Sequence, residues 1–226
     1  MIIDDKNIFL YGETNEGAPL VIVNTFDGDE HELNELLAGL VDIPYTLAVI
    51  SDVNWNDEMT PWASQPLFKG DKPYTGGADD YIKKLEDDIV PAIVEKLKAK
   101  PAYITIAGYS LGGLFAIYSL YHTSIFTCAV SASGSMWFPD FIDYATNNNL
   151  AVMPKYVYFS VGDKEAKTKN AIFKTVEDNT RLLCKHFSEL GIVDTFELNE
   201  GNHFKEPDLR LAKGIAWLLE TCCAES

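Results

Sequence analysis

The chain has 226 residues, 47% of them hydrophobic and 23% charged, so it is long enough to bury a core and too apolar to be disordered. Its 34 acidic and 18 basic residues give a net charge of −16, which disfavours binding to nucleic-acid phosphates or anionic membranes. No stretch approaches the 18 or so apolar residues that span a bilayer. We therefore expect neither nucleic acid nor membrane as a partner.

The N-terminal segment and the cysteines indicate a cellular location. Met1–Lys6 shows no basic region followed by a long apolar run, so no signal peptide is expected. The four cysteines form no C-x-x-C motif, and two of them are adjacent, which is a poor start for a disulfide framework: Cys128, Cys184, Cys222 and Cys223. These features predict reduced thiols and a cytoplasmic protein.

Short β-rich segments alternate with longer segments of helical periodicity along the chain. The predicted strands are Ile8–Tyr11, Leu20–Thr25, Thr46–Ser51, Tyr103–Ala107, Thr127–Ser131, Tyr156–Val161 and Thr195–Leu198. The predicted helices are His31–Leu40, Asp79–Lys98, Leu111–Tyr121, Pro139–Asn147, Thr168–Leu190 and Pro207–Thr221. Because several strands are apolar at nearly every residue, we predict a mostly parallel central sheet in a three-layer αβα sandwich, formed by one domain over residues 1–226.

The segment from Tyr103 to Leu114 combines an apolar strand, the motif G-x-S-x-G and an apolar helix. This is the context of a nucleophile elbow, in which a serine lies on a sharp strand-to-helix turn. Gly108 and Gly112 leave room for strand and helix to approach each other. Ser110 is therefore the candidate nucleophile, and the N–H of Leu111 at the helix start is a candidate oxyanion donor.

A serine hydroxyl needs a base that removes its proton and an acid that orients this base. In the α/β-hydrolase fold the acid and then the histidine follow the serine in the chain, on loops at the ends of strands. Of the four histidines, only His203 fits this order. Asp163 and Glu165 both follow the strand Tyr156–Val161, and the spacing from Gly162 favours Glu165 over Asp163 as the acid.

These motifs together resemble a known family. The matching segments are Gly108–Gly113, Ser131–Phe138, Gly162–Glu165 with Lys167–Asn170 following, and Gly201–His203, with Gly76–Ala78 as a further match. The chain resembles the putative-esterase branch of the α/β-hydrolases, which includes esterase D-like enzymes, feruloyl and acetyl-xylan esterases and siderophore esterases. The resemblance implies a triad of Ser110, Glu165 and His203 and hydrolysis through an acyl-enzyme.

The resemblance also implies a second oxyanion donor in the loop after the strand Leu20–Thr25. A backbone N–H around Asp27 is the candidate, although Asp27-Gly28 is equally typical of a plain turn. Many relatives carry an arginine where this chain has Trp55 and Asn56. That departure and the net charge of −16 argue against substrates with a carboxylate or catecholate.

Aromatic residues in predicted loops are candidates for substrate contacts. Trp55 and Trp137 are the two we select, although the segment around Trp137 fits equally a helix start packed on the sheet. No phosphate loop, dinucleotide fingerprint or metal-ligand spacing occurs, so no cofactor and no metal are expected.

The predicted function is a serine esterase that acts on a small or sugar-linked ester. A thioesterase or serine peptidase with the same triad, a non-catalytic binding protein of this fold and a flavodoxin-like binding module are the alternatives. Homo-oligomerisation is left open by the sequence.

Overall fold

The computed structural model describes residues 1–26, 30–67, 70 and 72–224. The strands are β1 Ile2–Ile3, β2 Lys6–Tyr11, β3 Leu20–Asn24, β4 Thr46–Ser51, β5 Ala63–Ser64, β6 Tyr74–Thr75, β7 Ile104–Tyr109, β8 Cys128–Ala132, β9 Tyr156–Gly162 and β10 Val193–Asn199. The helices are α1 Glu30–Leu40, α2 Trp55–Glu58, α3 Ala78–Lys84, α4 Val90–Lys96, α5 Leu111–Ser119, α6 Phe141–Asn147, α7 Val176–Glu189 and α8 Pro207–Ala224. A π-helical turn, Leu85–Ile89, joins α3 to α4.

Within the described ranges, eight strands form one sheet in the order β1-β2-β4-β3-β7-β8-β9-β10. The six strands from β4 to β10 in that order are parallel, and β1 and β2 add an antiparallel edge. The short strands β5 and β6 pair separately as an antiparallel ladder. The prediction of a mostly parallel central sheet is confirmed.

Both faces of the sheet are covered, as the strands without polar alternation predict. On β3, Leu20 and Ile22 face one apolar core with α3, α4, α5 and α7, whereas Val21 and Val23 face a second core with α1 and α8. Each fully buried aliphatic side chain stabilises the fold by roughly 1.5–3 kcal/mol. The predicted three-layer αβα arrangement is confirmed. No helix in the described part of the chain has the length and apolar character needed to cross a membrane.

The largest difference from the predicted elements lies before α7. The sequence predicts a helix from Thr168, but the regular helix begins at Val176, after a 3₁₀ turn at Phe173–Thr175. The Thr168 hydroxyl accepts a hydrogen bond from the Asn170 N–H, and the Asn170 side chain accepts one from the Ile172 N–H. Such local side-chain bonds compete with helical ones, so this segment forms turns instead.

Parallel pairing brings three loops to one edge of the sheet. The chain leaves β7 at Tyr109, β9 at Gly162 and β10 at Asn199, and β9 and β10 pair at Gly162 and Asn199. Since the carboxyl ends of parallel strands meet at the same edge, the loops that carry the candidate nucleophile, acid and base lie side by side.

Candidate active site

Ser110 lies on a sharp turn between β7 and α5. Its backbone is strained, with φ 57° and ψ −122°, and its N–H donates to the carbonyl of Ala132 at 3.3 Å. A Cβ added at Gly108 would lie 2.3 Å from the backbone of Gly112, so the turn requires glycine there. The geometry is that of a nucleophile elbow, with the serine presented at the start of a helix.

His203 contacts both Ser110 and Glu165. Its Nε2 lies 3.1 Å from the Ser110 Oγ, although the two residues are 93 positions apart in the chain. Its Nδ1 lies 2.8 Å from Glu165 Oε2. Because a carboxylate only accepts, Nδ1 carries the proton and Nε2 is left to accept from the serine hydroxyl.

The side chain of Glu165 is buried, and the carboxylate oxygen that does not contact His203 accepts three hydrogen bonds. Oε1 accepts hydrogen bonds from the Ser133 hydroxyl at 2.7 Å, from the Gly162 N–H at 2.6 Å and from Arg210 Nη1 at 3.1 Å. Burial alone would raise the pKa of Glu165, but the bonds from His203, Ser133 and Gly162 outweigh it and hold the pKa below its ordinary value. The carboxylate is therefore ionised and fixed in orientation.

Asp163, the alternative acid, has a different contact. Its Oδ1 accepts a hydrogen bond from the Gly201 N–H at 2.6 Å, which lowers the pKa of this carboxyl. Gly201 lies two residues before His203, with φ +108°. Asp163 thus ties the acid-bearing loop to the histidine loop, whereas Glu165 is the carboxylate that contacts the imidazole.

Arg210 is a residue of this site that the sequence interpretation missed. It lies on α8 with 3% of its surface exposed, and its Nη1 also donates to the hydroxyls of Ser133 and Tyr109. Its Nη2 donates to the carbonyl of Glu200 at 2.9 Å. The available signal was a charged residue beside Leu211 on the apolar face of the last predicted helix, where a charge needs a buried partner.

Tyr109 connects this arginine to the histidine. Its hydroxyl donates to the carbonyl of His203 at 2.7 Å, and the two rings are tilted with centroids 5.2 Å apart. Burial raises the pKa of Tyr109, so it stays a neutral donor. Arg210, through Tyr109 and Glu165, therefore holds both the backbone and the side chain of His203.

The two oxyanion candidates have different outcomes. Leu111 is the first residue of α5, where helix N–H groups have no intrahelical partner, so its N–H is free to meet a negatively charged oxygen beside Ser110. Asp27 lies outside the described residues. Its neighbour Phe26 packs edge-on against Trp55, with ring centroids 5.6 Å apart.

Two cavities meet at Ser110. The larger, of about 530 Å³, lies on the His203 side and is lined by Trp137, Lys164, Lys167, Thr168, Phe173, Val176, Asn202 and Phe204 with the three candidate catalytic residues. The smaller, of about 90 Å³, includes Trp55. Of residues 136–138, only Trp137 lines the large cavity, since Met136 and Phe138 are buried in the core.

The remaining histidines make contacts elsewhere. His31 bonds to the Tyr11 hydroxyl and His122 to the Tyr144 hydroxyl, and burial lowers the pKa of His122. His186 packs edge-on against its neighbour Phe187. Within the ranges that the structure describes, no three His, Cys, Asp or Glu side chains are arranged to hold a metal ion.

Comparison with known proteins agrees with this fold. The chain is similar to an IroE-like serine hydrolase from Shewanella oneidensis (18% identity, TM-score 0.77, 95% of this chain and 75% of that one). It is also similar to the siderophore hydrolase EstB from Aspergillus nidulans (16% identity, TM-score 0.73, 96% of this chain and 89% of that one). A third similar structure is the BES protein from Bacillus cereus (18% identity, TM-score 0.68, 96% of this chain and 97% of that one). No curated protein sequence matches the chain.

Family membership follows from the sequence itself. The family described as putative esterase matches residues 12–192, which is well over half of the chain and includes Ser110 and Glu165. This confirms the resemblance inferred from the motifs. The chain belongs to the putative esterase family and is an esterase with the α/β-hydrolase fold.

Proposed function

We propose that this esterase works through an acyl-enzyme, with Ser110 as nucleophile, His203 as general base and acid, and Glu165 as the acid that orients His203. The observation that carries the proposal is the continuous chain of hydrogen bonds from the Ser110 Oγ through both nitrogens of His203 to Glu165. It is joined to a strained elbow that presents the serine at a helix start.

In the first half-reaction the Ser110 Oγ attacks the ester carbonyl carbon while its proton passes to His203 Nε2. The carbonyl π electrons move to the oxygen, which becomes an oxyanion, and Glu165 stabilises the imidazolium formed alongside it. Collapse of this intermediate breaks the bond to the alkoxy group, which takes the proton from Nε2 and leaves as an alcohol. The acyl group then remains on Ser110.

In the second half-reaction a water molecule takes the place of the alcohol. His203 accepts a proton from the water as it attacks the acyl carbon, and returns a proton to the Ser110 Oγ as the carboxylic acid departs. In both halves the N–H of Leu111 donates to the oxyanion, and a second donor comes from the loop around Asp27. Each donor of this kind contributes on the order of 10²–10³ to the rate.

The substrate we propose is a small-molecule ester with an apolar or aromatic portion. The large cavity supports this because three aromatic residues line it, Trp137, Phe173 and Phe204. Trp55, at the small cavity, contacts the group on the other side of Ser110. The siderophore activity of the Aspergillus protein is not carried over, since 16% identity supports the common fold alone.

The test is Ser110→Ala with a short-chain nitrophenyl ester. We expect kcat/KM to fall by about 10⁴–10⁶, because the nucleophile and its proton path are both lost. Labelling by a fluorophosphonate probe should be lost too. Ser188→Ala is the control, since that exposed serine bonds to Asp194 and not to the site.

Three outcomes would redirect the proposal. Unchanged turnover in Ser110→Ala would remove the nucleophile assignment. Absence of fluorophosphonate labelling in the wild type would favour a non-catalytic protein of this fold. Faster turnover of thioester or peptide substrates than of matched oxygen esters would change the acyl-transfer class, though not the triad.

We also propose that the whole chain acts as one domain in the cytoplasm. All four cysteines lie in the described part of the chain and none of them forms a disulfide there, as expected for a reducing compartment. Titration with a thiol reagent in denaturant, on protein purified without reductant, should find all four reactive; a disulfide would argue for an oxidising location.

A further inference from the structure

The larger cavity at Ser110 differs in charge from the protein as a whole. The chain carries −16, yet the two charged residues lining this cavity besides the triad acid are Lys164 and Lys167. Both lie in the loop that follows β9, and Lys164 is the neighbour of Glu165 in the chain. A ligand that reaches Ser110 through this cavity therefore passes two ammonium groups.

The cationic character extends along the segment 164–176. This segment contains four lysines, Lys164, Lys167, Lys169 and Lys174, and one acidic residue, Glu165, whose carboxylate is engaged by His203 and Arg210. Lys164, Lys169 and Lys174 make no ion pair with any residue that the structure describes, and Lys167 is 3.8 Å from Asp163. Asp163 interacts with both Lys164 and Lys167 and offsets part of their charge, which leaves two ammonium groups at the cavity against one partly exposed carboxylate.

The position of the lysines identifies the part of the substrate they would meet. His203 Nε2 must deliver its proton to the departing oxygen, so the leaving alcohol lies on the His203 side of Ser110. The cavity with the lysines is on that side, with Asn202, His203 and Phe204 in its wall. The small cavity, which Trp55 and Phe26 line and His203 does not, has room for about a short acyl group only.

We propose that the natural substrate, within the proposed function, is an ester whose alcohol portion carries a carboxylate-type anion on an aromatic or similarly apolar body. Trp137 and Phe204 contact the apolar body, and Lys164 and Lys167 hold the anion. This replaces the expectation from net charge that acidic substrates are disfavoured, because the charge that a ligand meets in the cavity is local.

The test uses a matched pair of substrates, 4-acetoxybenzoate and its methyl ester, which differ in the negative charge on the alcohol portion. Wild type should have a higher kcat/KM for 4-acetoxybenzoate than for its methyl ester. The double variant K164Q/K167Q should lose about tenfold in kcat/KM for 4-acetoxybenzoate, because each exposed charge pair contributes up to about fivefold to binding. The methyl ester should change by less than about twofold, and the preference should shrink as salt is raised.

The control is K83Q/K185Q, which removes two exposed lysines remote from the site and changes the net charge equally. It should leave the ratio of acid to methyl ester at the wild-type value. Thermal unfolding of both double variants verifies that the fold is kept.

The outcomes separate this proposal from the proposed function. Three results would overturn the anion subsite and leave Ser110 catalysis intact. K164Q/K167Q could lose activity equally for both esters, or the wild type could show no preference between them. The wild type could also hydrolyse nitrophenyl acetate but neither benzoate-derived ester. Hydrolysis of the methyl ester by Ser110→Ala at the wild-type rate would overturn the proposed function instead.

Discussion

Ser110 lies between two regions of opposite character. Behind it, the side chains of Glu165 and Arg210 are buried and bonded to fixed partners, including Ser133 and the backbone of Gly162. In front of it, Phe204 is 85% exposed and Lys164 has no ion-pair partner within the described chain. A fixed network sets the orientation of the reacting groups, whereas an exposed, solvated wall sets which ligands stay. Changes behind Ser110 should therefore act on kcat, and changes in front on KM.

The hydrogen-bonded groups behind Ser110, which include Glu165, Arg210, Ser133 and Gly162, form a rear network. The substitution that should disrupt it most is Glu165→Gln. We expect kcat/KM to fall by about 10³–10⁴, because an amide no longer stabilises the imidazolium or fixes its tautomer. The free energy of unfolding should fall by about 3 kcal/mol, since Arg210 is left buried without an anion. Steady-state kinetics and urea unfolding measure the two effects.

Asp163→Asn is the matched control for this change. Its amide oxygen still accepts from the Gly201 N–H, so a loss below about tenfold is expected, as for a residue that supports a loop. A larger loss in Asp163→Asn than in Glu165→Gln would give the acid role to Asp163.

The next largest effect should come from Arg210→Met. This change removes the hydrogen bonds that Arg210 donates to Glu165 and to the Tyr109 hydroxyl. We therefore expect kcat to fall by about 10- to 100-fold with KM nearly constant. The free energy of unfolding should fall by about 3 kcal/mol. Arg210→Lys should restore only part of kcat, because one ammonium does not reproduce the fork geometry of a guanidinium.

Arg181→Met is the control, because Arg181 pairs with Glu177 within one helix and is 48% exposed. It should cost at most about 1 kcal/mol and leave kcat unchanged. If Arg210→Met lowers the free energy of unfolding by the expected amount but leaves kcat unchanged, Arg210 has a structural role only.

The contrast between the two regions also separates what the sequence could predict from what it could not. All seven predicted strands are present. Five of them are parallel strands buried on both faces, which leave long apolar runs: β3, β4, β7, β8 and β9. The contact of Ser110 with His203 was predictable, since the motif and the order of the residues place both at the same edge of the sheet. The choice of Glu165 over Asp163 rested on spacing alone.

The contacts of Arg210 could not be predicted in the same way. They depend on the rotation of α8 against the sheet, and Arg210 is 77 residues from Ser133 and 45 from Glu165. The two-residue strands β1, β5 and β6 are too short to leave a periodic pattern. The local charge of the cavity was hidden by the net charge, because a sum over the chain does not show which lysines face Ser110.

The pH dependence of the unfolding free energy tests how much the charge of the Glu165 carboxylate contributes to stability. The pKa of Glu165 is held below its ordinary 4.5, so the unfolded chain binds more protons than the native one in this pH range. The stability that Glu165 contributes is present above the unfolded pKa and is lost as pH falls through the folded pKa. The difference in unfolding free energy between wild type and Glu165→Gln should thus be constant above about pH 6 and shrink below about pH 4.5.

Urea unfolding of both proteins at a series of pH values measures this difference. A difference that stays constant from neutral to acid pH would mean that the carboxylate charge contributes nothing to stability, and that Glu165 is held by packing alone.

The smallest effect should come from Phe204→Ala in the front wall. Because Phe204 is 85% exposed, its removal should change the unfolding free energy by less than about 0.5 kcal/mol. The ring lines the large cavity beside His203, so we expect KM for an aromatic ester to rise about three- to fivefold, with kcat within about twofold.

Leu182→Ala is the control for this change, because Leu182 is an exposed apolar residue on α7 away from the cavity, and the substitution should alter neither constant. A fall in kcat with unchanged KM would place Phe204 with the rear network, as a residue that positions His203 and not as a wall that binds substrate.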